Sequence, residues 1–195
     1  MIVDSISYQG GLGCVNTTAV FVEGDPTPVA EAIAERLATI PSLPPDDEKA
    51  VLPGYSLEAA KTFEEYLLTK AAGTTSHLGG HGVVDELGDG SAVLRPAVHQ
   101  VDSPHATQVN VELGFPCVWV APWTCEAGTS VFTDTLVLTA VTQTNSCWTT
   151  CWPTRPSRTS TSATTRRTGW NRACHTTPTW ASSSCAAKPS SATSG

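Results

Sequence analysis

From residue 142 onward the sequence has no Leu, Ile, Val, Met, Phe, Tyr, Asp or Glu. The 54 residues there include 14 Thr, 10 Ser and 4 Trp. Such a composition cannot bury enough apolar surface to offset the entropy lost on ordering a chain. Charge breaks at the same place. Residues 1–141 hold all 18 acidic residues against 5 basic ones, a balance of −13, whereas 142–195 hold 6 basic residues and no acid. The overall −7 therefore describes neither part. We expect a globular domain over 1–141 and a disordered, low-complexity Ser/Thr/Trp/Arg tail over 142–195. The tail's basic residues form no stripe on any expected element, so no nucleic-acid partner is expected.

Other absences narrow the function further. No basic n-region followed by an apolar h-region opens the chain, and no run of 18 apolar residues occurs, so neither a signal peptide nor a membrane partner is expected and the cytoplasm is the default location. Seven cysteines (14, 117, 125, 147, 151, 174 and 185), odd in number and irregular in spacing, fit reduced thiols better than a disulfide framework. His77 and His81 stand four apart, as on a zinc-binding helix, but Gly79 and Gly80 between them make a continuous helix unfavourable. His99 and His105 add no acidic or cysteine cluster, and Cys147, Cys151, Cys174 and His175 match no finger spacing, so no metal site is expected.

What is present reads as alternating strands and helices, an α/β domain. TTAVFVEG (17–24) is a β-branched and aromatic strand closed by a turn. In 27–40, Val29, Ile33, Leu37 and Ile40 recur at helical spacing. PSLPPDDEKA is a surface loop, because its prolines remove donors and fix φ. A second helix runs from the N-cap Ser56 to the C′ glycine Gly73, with Leu57, Ala60, Phe63, Leu67 and Ala71 on one side. Glycine-punctuated short strands follow from 74 to 101, then the buried strands PCVWVAP (116–122) and TLVLTAV (135–141).

Cys14 stands among Gly10, Gly11 and Gly13. A thiolate that attacks a carbonyl needs open space for its substrate, which glycines supply; a lone thiol can equally be a small buried hydrophobe. The surrounding order decides between them. Gly11-Leu12-Gly13-Cys14, the strand Ala19-Val20-Phe21-Val22 and the helix at 27–40 resemble the catalytic-cysteine segment of aldehyde dehydrogenases. Downstream, Gly79-Gly80 is similar to that family's Gly-Gly segment, Pro96-Ala97-Val98 to its Pro-Thr-Val strand, and Glu112-Leu113-Gly114-Phe115-Pro116 to its Glu-x-Phe-Gly-Pro motif with Phe and Gly transposed. Leu12 replaces the glutamine usual beside the nucleophile, which points to a divergent branch, of an acyl-CoA reductase type.

The resemblance implies a partial aldehyde dehydrogenase-like catalytic domain over 1–141 and an oxidoreductase activity. Cys14 would attack an aldehyde to give a thiohemiacetal, hydride would pass to NAD or NADP, and water or coenzyme A would release the thioester. The reverse direction would reduce an acyl thioester. Glu112 would hold the nicotinamide ribose through both hydroxyls and Phe115 would wall the nicotinamide. The partner would be a small-molecule aldehyde, and intact members of the family oligomerise. The dinucleotide-binding domain, general-base glutamate and oxyanion-hole asparagine of that family precede its cysteine. Only thirteen residues precede Cys14, so the chain alone is expected to bind no cofactor and to be inactive. An inert truncated gene product, or a small α/β binding domain with a structural Cys14, is the alternative.

The tail has the composition of a G+C-rich gene translated out of frame. Back-translated and read from the third base, Cys147–Pro153 gives a helical pattern of Leu, Asp, a polar or Tyr codon, a Leu/Met/Val codon, Leu and Ala. Thr159–Ala163 allows Val-Tyr-Ile-Gly, a strand. A frameshift between about Val141 and Cys147 is therefore expected, leaving a tail without stable fold and an unpaired sheet edge near 135–141 that favours aggregation. Sequencing the gene checks this: restoring the frame near codon 145 should yield an amphipathic helix followed by a Val-rich strand, and failure to do so would remove the explanation.

Overall fold

A computed structural model describes residues 1–132, 135–142 and 160–165. The first half holds α1 (Ile2–Ser7), β1 (Ala19–Glu23), α2 (Thr27–Leu37), β2 (Gly54–Ser56) and α3 (Leu57–Lys70). Then come β3 (Thr75–Leu78), β4 (Val84–Glu86), β5 (Ser91–Leu94), β6 (Ala97–Gln100), β7 (Cys117–Trp123), β8 (Val137–Thr142) and β9 (Ser160–Thr165).

The main sheet has the order β1-β7-β6-β3. Strand β7 runs parallel to both neighbours, with Ala121 opposite Phe21 of β1 and Trp119 opposite His99 of β6. Strand β3 closes the far edge antiparallel, with a register shift between Ser76 and Leu78. A parallel strand covered on both faces must be apolar on both, and β7 is: Cys117 through Ala121 are all buried. The alternation of side chains then sorts them. Val118 and Val120, with Val98 of β6, face Ile6 of α1 and Ala30, Ile33 and Leu37 of α2. Cys117, Trp119 and Ala121, with Ala97, face Ala60 and Leu67 of α3 and the small sheet β2-β5-β4.

The expected elements form where their periodicities place them. Helix α2 stops at Leu37, three residues early, where Ala38 N–H closes on Ala34 and Ile40 N–H bonds the Leu37 carbonyl in a tighter turn. The Ser56 hydroxyl accepts from Ala59 N–H at the start of α3, and the helix ends at Lys70 with Ala71 as its C-cap, so that Gly73, expected at C′, lies one position beyond C′ with φ +80°. Helix α1 was not anticipated. Its Ile2, Val3 and Ile6 follow the i, i+1, i+4 spacing of a single apolar face and pack on α2.

The run expected as a buried strand over 135–141 instead forms β8 at Val137–Thr142, with Leu136, Val137 and Val141 exposed. Two further expectations need correction. Strand β9 lies inside the tail and pairs parallel with β8, Val137 opposite Ser160 and Thr142 opposite Thr165, so one edge of β8 is covered by the segment expected to be disordered. Backbone hydrogen bonds need no apolar side chains, and threonine is a good strand residue, so STSATT pairs despite its composition. The Cys147–Pro153 pattern and the tail cysteines fall outside the described residues. Secondly, Cys125 is disulfide-bonded, so the cysteines are not uniformly reduced. Among the described residues no helix is long and apolar enough to cross a membrane.

His99 is the buried polar residue of the sheet, 1% exposed. Its Nδ1 lies 3.3 Å from the Thr74 hydroxyl, its Nε2 is unpartnered, and its ring lies 5.4 Å from that of Trp119. Burial first, and the charge of His77 second, bring its pKa down to about 4 from 6.5. Between those values the unfolded chain takes up a proton that the folded chain refuses. Stability from this group is therefore full above pH 6.5 and falls as pH drops toward 4, by on the order of 3 kcal/mol in all. Urea unfolding at pH 7 and pH 4.5 should show an acid loss about 2 kcal/mol larger in the wild type than in His99→Gln. Equal losses would mean that His99 is not held neutral in the fold.

Candidate functional site

Cys14 sits on the loop that carries the chain from α1 to β1, and its side chain is exposed. The loop begins with a 3-10 turn, Tyr8–Gly11, in which Gln9, Gly10 and Gly11 have φ of +49°, +66° and +80°. Such left-handed backbone is strained for any side chain and free for glycine. A Cβ on Gly10 would lie 2.9 Å from the Val51 carbonyl, and one on Gly11 would lie 2.5 Å from the backbone of Phe115 and Pro116. The space these glycines clear is therefore filled by the protein's own backbone rather than left for a ligand, as the sequence had led us to expect. Gly13 meets the Asn16 side chain in the same way, at 2.6 Å.

Asn16 holds this loop to the first helix. Its Nδ2 donates to the carbonyls of Ile6 (3.2 Å) and Tyr8 (2.7 Å), its N–H donates to Gly13, and the next residue, Thr17, donates its hydroxyl proton to Ser5 Oγ at 2.9 Å. The terminal carbonyls of a helix lack intrahelical donors, and Asn16 supplies two of them. Sequence reasoning missed this residue; an Asn two positions after the cysteine is the signal that was there.

The four separate segments singled out in the sequence touch in series. A Cβ on Gly79 would lie 2.9 Å from the Ala97 side chain. Ala97 N–H donates to the Pro116 carbonyl at 2.9 Å, and the Phe115–Pro116 peptide packs on Gly11. Glu112 lies between two pins on the same connection. The Trp119 indole donates to the Val111 carbonyl at 3.0 Å, and the Tyr55 hydroxyl donates to the Gly114 carbonyl at 2.5 Å, burial raising that phenol's pKa. Tyr55 and Trp119 were also missed, since nothing in their local sequence reveals partners so distant along the chain.

Cys14 and Glu112 line one cleft of about 740 Å³. It is lined on the first half of the chain by Thr17, Thr18 and the start of β1 to Phe21, and on the second by Trp123, Phe132 and residues 136–139. Among the described residues the acidic ones on it are Glu112 and Glu23; Met1 also lines it, and the Met1 ammonium is paired with Asp4. Phe115 does not join them. It is 2% exposed and packs in the core beside Cys117 and Trp119. Among the described residues no group of three His, Cys, Asp or Glu side chains is placed to hold a metal ion. His77 lies in β3, bonded through Nε2 to Gln100 Oε1 at 2.9 Å, and His81 lies in the following turn.

Comparison with solved structures places the fold. The chain superposes on an aldehyde dehydrogenase of Mycobacterium tuberculosis complexed with NAD+ (TM-score 0.64, 22% identity, 84% of this chain and 34% of that one). It also matches an aldehyde dehydrogenase from Bartonella henselae (0.63, 20%, 82% and 35%) and a lactaldehyde dehydrogenase (0.65, 18%, 88% and 36%). No family model matches the sequence, and no curated protein matches it. The fold is thus aldehyde dehydrogenase-like, and the chain spans about a third of the length of these solved chains.

The contact at Gly11 makes a sharp test. Gly11→Ala adds a left-handed penalty of roughly 1–2 kcal/mol to a clash with backbone that cannot swing aside, so a loss of about 3 kcal/mol or more is expected in urea unfolding. Gly24→Ala, also at positive φ but with nothing within 4 Å, should lose only the smaller, conformational part. Equal losses would show that the Gly11 contact is unimportant.

Proposed function

We propose that this chain carries the nucleophile half of an aldehyde dehydrogenase-type oxidoreductase, one that oxidises an aldehyde or reduces an acyl thioester, with Cys14 as the nucleophile. The observation that carries this reading is that Cys14 is exposed on the same cleft as Glu112. A structural thiol belongs in the core, and that position is taken by Cys117, which is buried and whose pKa burial raises. Supporting the reading are the fold and the serial contact of the four motif segments.

The chemistry assigned to the described residues is a single step. The Cys14 thiolate adds to the aldehyde carbonyl carbon: a C–S bond forms, the carbonyl π pair moves to oxygen, and that oxygen takes a proton from solvent. Asn16 keeps the loop from drifting during this addition.

The neighbouring structures include an NAD+ complex, and the cleft's residues match a dinucleotide only in part. The Glu112 carboxylate suits a ribose, since it accepts from both hydroxyls. A pyrophosphate needs backbone N–H groups at a helix start or cationic side chains, whereas the acidic pair Glu23 and Glu112 would repel it. Phe115 in its core position offers no face to a nicotinamide and acts instead by fixing the backbone next to Gly11. The described residues thus fit the ribose and not the phosphates, and no hydride step is assigned to them. On this reading the chain by itself binds neither NAD nor NADP measurably and turns over no aldehyde.

Two measurements check the proposal. In the native chain, iodoacetamide followed by peptide mass spectrometry should label Cys14 fully before Cys117 reacts. Protection of Cys14 under those conditions would overturn the nucleophile assignment. Calorimetric titration with NAD+ and NADP+ should give no saturable heat, and saturable binding would show that the phosphates have a site after all.

A further inference from the structure

The cleft that holds Cys14 also gathers exposed apolar side chains. Met1, Val15, Leu136, Val137 and Val141 are among the large hydrophobics exposed by more than a third, and all five line it. Behind them stands an aromatic group: Phe21 and Phe132 meet edge to face at 5.0 Å, and Trp123 lies 6.0 Å from Phe132. Exposed apolar side chains collected in one concavity mark a surface that a ligand covers.

Charge restricts that ligand further. The side chains of Glu23 and Glu112 bring negative charge to the cleft, the Met1 ammonium is neutralised by Asp4, and the domain around it carries −13 over residues 1–141. Such a field disfavours a second anion in the cleft. Resting on the assignment of Cys14 as nucleophile, we infer that the substrate is an uncharged aldehyde with an apolar body, a medium-chain aliphatic or aryl aldehyde, and that aldehydes bearing a carboxylate or phosphate are rejected. The body lies against Phe21, Trp123, Phe132 and Leu136, and the carbonyl meets Cys14. Addition of the thiol across the carbonyl is reversible and requires no oxidant, so the preference can be read on this chain alone.

The test uses the full chain and the rate at which iodoacetamide labels Cys14, followed by peptide mass spectrometry, with aldehydes as protecting agents. Hexanal and succinic semialdehyde present an apolar and an anionic body on short carbon chains. Half-protection by hexanal is expected at a concentration at least tenfold below that for succinic semialdehyde. In Glu23→Gln the gap should shrink about threefold, each half-protection being referred to that variant's own labelling rate without aldehyde. Equal protection by the two aldehydes, or better protection by the anionic one, would overturn the substrate class while leaving Cys14 as nucleophile. Better protection by betaine aldehyde than by hexanal would overturn it in favour of a cation. If no aldehyde protects Cys14, the nucleophile assignment itself fails.

Discussion

The Phe115–Pro116 peptide is the point on which the structure turns. One of its faces receives Gly11 at a distance that no side chain would allow, and the carbonyl of the following peptide, that of Pro116, takes the Ala97 N–H at the start of β6. The next residue, Cys117, begins the central strand of the sheet. Two successive peptides thereby fix the cysteine loop, the first residue of β6 and the first residue of β7 relative to one another. Glu112, four residues before Pro116, inherits its place from the same fixture, reinforced by the hydrogen bonds that Trp119 and Tyr55 make on either side. Close packing of this kind has little slack, because backbone atoms cannot rotate out of a clash as side chains do.

Upon that fixture the two thiols of the domain take opposite environments. Cys117 is enclosed by the core and kept protonated, whereas Cys14, held out by a left-handed turn and by Asn16, meets solvent and the apolar cleft. The cleft is lined by apolar side chains and by Glu23 and Glu112. On the proposed reading it suits an uncharged carbonyl compound and a ribose and opposes phosphate, so that recognition of the aldehyde and recognition of a dinucleotide's phosphates would be physically separable.

Much of this was legible in the sequence because it is periodic. Ile33 and Leu37 in α2, and Ala60 and Leu67 in α3, are buried as their spacing requires, and the Val-rich run of β7 is enclosed on both faces. Cys14 and Glu112, singled out by their order along the chain, both line the cleft. What the sequence hid was contact at long range. Tyr55 and Gly114 are 59 residues apart, and no local pattern predicts their bond. The glycines misled in a different way, since sequence shows that a position tolerates no side chain without showing what occupies the space. Phe115 looked like a wall because its motif places an aromatic near a cofactor, yet its burial beside Trp119 gives it a supporting part. Composition misjudged the segment 160–165, because pairing of a strand depends on its backbone and its β-branched threonines more than on its apolar content.

The central claim is that the packed loop presents Cys14 as a nucleophile toward a neutral carbonyl. Carbon-13 NMR of the chain with phenylacetaldehyde labelled at its carbonyl carbon tests it most directly. A new protein-bound resonance of a tetrahedral carbon bearing sulfur and oxygen should appear with the wild type and be absent with Cys14→Ser. The same spectrum for both proteins, or no bound resonance at saturating aldehyde, would contradict the account.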